Sequence, residues 1–130
     1  MSVKNLLSIA SLSGMLCVLI GAFGAHKLKV LLSDVMLNAF EKGVQYQFYH
    51  TLALLLVCIL VKNFPELNLK PAAWFFIAGI VLFSGSLYLL ALTSISGHAW
   101  SWLGPITPVG GLCFIAGWFM MFLSALKIKI

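Results

Sequence analysis

Arginine is absent from this 130-residue chain, and its only acidic residues are Asp34, Glu41 and Glu66. Charged residues make up 8% of the sequence, against roughly a quarter in a soluble domain. So few charges cannot solvate a globule of this length, which excludes an ordinary water-soluble fold. Clustered cations are missing as well. The lysines stand singly or in pairs at the edges of apolar runs, the placement used by membrane proteins. A nucleic-acid surface needs them gathered on one solvated face, so the net charge of +5 does not indicate one.

Paired cysteines are also lacking. Cys17, Cys58 and Cys113 lie alone in apolar runs, with neither CxxC nor metal-ligand spacing, and behave as small hydrophobes. No apolar run holds an Asp pair suited to an intramembrane protease, and GxSxG and HExxH are absent. His26 and His50 without carboxylate or thiolate support make a poor metal or haem site. Neither a cofactor nor a metal is expected.

What is present is apolar. Hydrophobic residues reach 62% and the mean hydropathy is +1.10. A bilayer core of about 30 Å takes roughly 20 helical residues to cross. Runs over residues 6–25, 44–61, 72–95 and 105–126 meet that length, and none contains Asp, Glu, Lys or Arg. The expectation is an all-α integral membrane protein. It is a four-transmembrane-helix bundle forming a single domain over residues 1–130. Lys4 ahead of the first run also fits a signal peptide, but the run is long for one and reads as a retained span.

Between the first two spans, Leu28, Leu31, Leu32, Val35, Met36, Ala39 and Phe40 recur at helical spacing. Asp34, Asn38, Glu41 and Gln45 fall on the other side. This is an amphipathic segment, either lying at the interface or extending the second span, with Ser33 as its N-cap. The connection from Lys62 to Lys70 is a turn with Pro65, and that from Ser96 to Gly104 carries Trp100 and Trp102 for the headgroup level. Lys4, Lys62, Lys70, Lys127 and Lys129 fall on one side, and Lys27, Lys29 and Lys42 on the other. That bias places both termini in the cytoplasm.

Small residues recur every seventh position. Gly14 and Gly21 do so in the first span, and Ala72, Gly79, Ser86 and Thr93 in the third. Gly110, Gly117 and Ser124 follow in the fourth. Such stripes suit helix-packing seams, since small residues let backbones approach closely.

The segment from Tyr46 to Thr51 is the most polar stretch within a span. Gln47, His50 and Thr51 share one helical face, with Tyr46 beside His50. Alternating helix directions bring His26, Tyr88 and Thr107 to the same half of the bilayer, the half assigned to the outside. The group reads either as interhelical glue or as the lining of a small-ligand, ion or proton pocket around His50. His50 is expected to point inward and bond Tyr88 or a group near His26. Pro105 and Pro108 open the fourth span, as helix starters or as part of a broken segment facing a cavity.

The strings Gly21-Ala22-Phe23-Gly24-Ala25-His26 and Tyr46-Gln47-Phe48-Tyr49-His50 occur with Ser84-Gly85-Ser86-Leu87-Tyr88 and the stretch from Gly104 to Gly111. In this order they resemble the YgdD/YwdK-like proteins, small bacterial inner-membrane proteins of unknown function with eukaryotic relatives. The resemblance implies a four-helix fold in an inner (plasma) membrane and supplies no catalytic residue. The expected function is that of a structural or interaction bundle. Its expected partners are lipid and a second copy or another membrane protein.

Overall fold

The computed structural model describes residues 1–128. It contains four helical segments long and apolar enough to cross a membrane. Helix α1, Val3–His26, starts where the Ser2 hydroxyl accepts the Asn5 amide at 3.1 Å. A 3-10 turn at Leu28–Val30 then leads to α2, Asp34–Asn63. Ser33 caps α2 by accepting the Met36 amide, with Asp34 in its first turn and Lys62 in its last, as the helix dipole favours.

The 30 residues of α2 make a rod of about 45 Å, longer than a hydrocarbon core. The amphipathic stretch is therefore mostly the overhanging start of the second span. Its apolar residues part company in the structure. Leu28, Leu32 and Phe40 are buried, whereas Leu31 and Val35 face outward.

The third span joins α3, Lys70–Gly79, to α4, Gly85–Ser94, through a π-helical turn at Ile80–Ser84. Pro71 sits in the first turn of α3, where its missing amide costs nothing. Gly97 (φ 78°) then turns the chain into a loop carrying the stacked indoles of Trp100 and Trp102. The fourth span is α5, Ile106–Ala125, with Pro105 as its N-cap and Pro108 in the first turn. The prolines start an unbroken helix. The first three helical segments reach past their apolar runs at one or both ends, whereas α5 stays within its own.

The extensive contacts join α1 to α2, α2 to the whole third span, and the third span to α5. So α2 and the third span form the central pair, flanked by α1 and α5. One apolar core, around Leu54, Val57, Ala72 and Phe76, fills the end near the Lys62–Lys70 connection. A smaller one, Leu28, Leu32, Phe40 and Ala91, fills the other end.

Glycine notches set the spacing between the third span and α5. Phe114 of α5 lies against Gly79, Phe76 lies against Gly117, and the backbone of Phe83 lies against Gly110. Ser86 and Thr107 continue the series with a 2.6 Å hydrogen bond. Successive pairs move by equal and opposite steps along the two helices, which defines an antiparallel register. Gly43 does the same for the central pair, where an added Cβ would come within 2.7 Å of the Tyr88 ring.

Gly110 and Gly85 therefore answer differently to the same change. At Gly110 a Cβ meets the backbone of Phe83, whereas at Gly85 nothing lies within 4 Å. Gly110→Ala should lower stability in detergent by about 1–3 kcal/mol, the usual cost of overpacking. Gly85→Ala should leave it unchanged or slightly raised. Equal melting curves for the two variants would contradict this packing.

Candidate functional site

Between the two apolar cores lies a polar layer, near the midpoints of α1 and α2. The Tyr88 hydroxyl donates to Gln47 Oε1 at 2.7 Å. Gln47 Nε2 donates to the Ser13 carbonyl at 3.0 Å and lies 3.4 Å from the Ser13 hydroxyl. That hydroxyl shares a 2.7 Å bond with Thr51. One chain of hydrogen bonds thus ties the first three spans together. Gln47 and Thr51 are buried, so each bond replaces water that hydrocarbon cannot supply.

A second set binds the third span to its neighbours. Ser84, fully buried, donates to the Gly43 carbonyl at 2.6 Å. The π-helical turn ends on this serine, and it presents both Ser84 to α2 and the Phe83 backbone to Gly110. Ser86 donates to the Phe83 carbonyl at 2.9 Å, which leaves Thr107 as the donor in the Ser86–Thr107 bond. Between α1 and α2, Cys17 donates to the Val44 carbonyl at 3.2 Å.

His50 points into the bundle beside this network. Its ring stacks on Phe114 with centroids 3.5 Å apart and planes 7° from parallel. Nδ1 lies 2.7 Å from the Tyr46 carbonyl, and Trp118 Nε1 lies 3.2 Å from Nε2. An indole N–H can only donate, so Nε2 must accept and the ring proton sits on Nδ1. The imidazole is held as the neutral Nδ1–H tautomer, with both nitrogens engaged.

The candidate residues thus fall into separate places. Gln47, Thr51 and Tyr88 meet in the layer, Thr107 joins Ser86, and Tyr46 contributes its carbonyl while its ring stacks on Phe83. His26 is apart from all of them, exposed at the end of α1 and without a side-chain bond to the layer. The reason is register. Gly14 packs at Thr51 and Gly24 at Phe40, so His26 is level with Ala39, about 16 Å along the axis from His50. The expected His50–Tyr88 bond is also absent, because Gln47 takes the Tyr88 hydroxyl and Trp118 reaches His50.

Ser13, Phe114 and Trp118 belong to the arrangement without having been singled out in the sequence, and Ser84 was named there only as part of a family string. Ser13 adjoins Gly14 of the first stripe, and Phe114 and Trp118 are four apart on one face of α5. Those spacings were the available signals. Of the packing candidates, Gly14 lies near Thr51, Gly21 near Val44, Gly79 by Phe114, Gly110 by Phe83 and Gly117 by Phe76. Among the described residues, every buried side-chain nitrogen and oxygen has a partner. No group of three or more His, Cys, Asp or Glu there could hold a metal.

Comparison with known proteins fits this architecture. Residues 20–111 match the family model described as Protein of unknown function (DUF423). A UPF0382 membrane protein of Staphylococcus haemolyticus is 44% identical over 95% of this chain and 97% of its own length. YwdK of Bacillus subtilis is 42% identical over 95% and 98%. The inner membrane protein YgdD of Escherichia coli is 37% identical over 99% and 95%. No solved structure matches. The chain belongs to the DUF423/UPF0382 family of membrane proteins, to which no biochemical function is assigned.

Proposed function

We propose that this protein works as a structural or interaction bundle of the bacterial inner (plasma) membrane, with its polar layer serving as glue between spans. The observation that carries the reading is the complete internal pairing of the layer. Tyr88, Gln47, Ser13 and Thr51 use one another, and His50 has both nitrogens engaged and one face covered by Phe114. With Nδ1–H given to the Tyr46 carbonyl and the Nε2 lone pair taken by Trp118, the His50 ring has neither a proton nor a lone pair left for a substrate.

The test is a double-mutant cycle on Gln47→Leu and Tyr88→Phe, read as unfolding stability in detergent. The glue reading expects each single change to destabilise and the pair to be coupled by about 1 kcal/mol, typical of interhelical bonds. Additive effects would argue against a working bond between the spans.

The lysine asymmetry supports cytoplasmic termini, although Lys129 lies outside the described residues. In a cysteine-free background, an impermeant thiol reagent added to intact cells should label His98→Cys in the third connection. It should leave Glu66→Cys in the second connection untouched. The reverse pattern would invert the chain in the membrane.

A further inference from the structure

A groove of about 640 Å³ runs down the membrane-facing side between α2 and α5. Its size falls within the range of about 300–1,000 Å³ found for small-molecule sites. Phe83, level with Tyr46, and the deeper His50, Phe114 and Trp118 line its walls, and Gly111 leaves its floor open. Its upper wall is Tyr46 and Tyr49, both on the outer surface. The Tyr46 hydroxyl has no hydrogen-bond partner among the described residues. The Tyr49 hydroxyl accepts from Gln45 Nε2 at 2.8 Å, so its own proton remains to be donated.

Lys42 stands one helical turn above Tyr46 on the same face of α2. Among the described residues its ammonium hydrogen-bonds a neutral group, Gln45 Oε1, at 3.2 Å. From membrane edge inward the face therefore offers a cation, two phenolic donors and then an aromatic trough. Lys42 and His50 are separated by about 12 Å along the helix. This order matches phosphate, ester carbonyls and acyl chain.

We propose that the groove between α2 and α5 holds an acyl chain of an anionic phospholipid. Lys42 faces the phosphate, and the Tyr46 and Tyr49 hydroxyls donate to the ester carbonyls. The ligand is a lipid of the surrounding leaflet, and no covalent step is involved.

Native mass spectrometry of the full-length protein in detergent tests this directly, with equal amounts of phosphatidylglycerol and phosphatidylcholine of matched chains. The parent should retain phosphatidylglycerol about fivefold better, the weight of one lysine beside an anionic headgroup. Lys42→Gln should abolish that preference. Gly111→Leu should reduce retention of both lipids by filling the groove, since an added Cβ there meets only Phe83, at 3.9 Å. Equal retention of the two lipids by the parent would overturn the proposal. So would parental retention by Gly111→Leu, or a protein dimer lost in that variant while lipid binding is unchanged. Should Gly111→Leu not fold, Tyr46→Phe with Tyr49→Phe provides a gentler test. The doubly substituted protein should lose the parent's preference for diester over diether phosphatidylglycerol, and an unchanged preference would overturn the assignment.

Discussion

Hydrocarbon offers no partner to a hydrogen-bonding side chain, and the centre of this molecule is arranged around that constraint. Gln47 on α2 has an acceptor and donors to satisfy, and it meets them with Tyr88 from the third span and Ser13 from the first. Thr51 closes the set through Ser13. If α1 slid along α2 by one turn, the Ser13 carbonyl would leave Gln47 and the Ser13 hydroxyl would leave Thr51. Polar satisfaction thus fixes register in a medium where apolar side chains alone would slide at little cost.

The glycine notches add the complementary constraint of distance. Phe114 can lie against Gly79 only because no Cβ stands there, and the same ring then supports His50 at 3.5 Å. Packing and polar pairing meet at this ring. Trp118, one turn further along α5, completes the enclosure by donating to His50. The result is a histidine within a membrane span that is neutral, oriented and covered on one face. It links α5 to α2, two helices that lack an extensive seam of their own.

Much of this was legible in the residues, and the parts that were not share one cause. Apolar run length marks the four spans because every backbone amide in lipid must be paired within its own helix. The seven-residue glycine stripes mark which faces meet, but they do not name the rings that fill the notches. His26 was drawn toward His50 by helix direction alone, and the register set by Gly24 against Phe40 keeps it away. Trp118 gave no polar signal because an indole in an apolar run is read as a hydrophobe until its N–H finds an acceptor. The π-helical turn at Ile80–Ser84 left no trace in composition, since it answers to packing against Gly43 and Gly110.

The whole bundle turns on a central layer that is buried and internally paired. The most direct measurement is ¹⁵N solid-state NMR of histidine-labelled protein in lipid bilayers, with polarisation transferred from water. His50 should give the neutral Nδ1–H signature and receive little magnetisation from water, while exposed His26 and His98 receive it readily. A His50 ring protonated at Nε2, or one polarised by water as fast as His98, would contradict it.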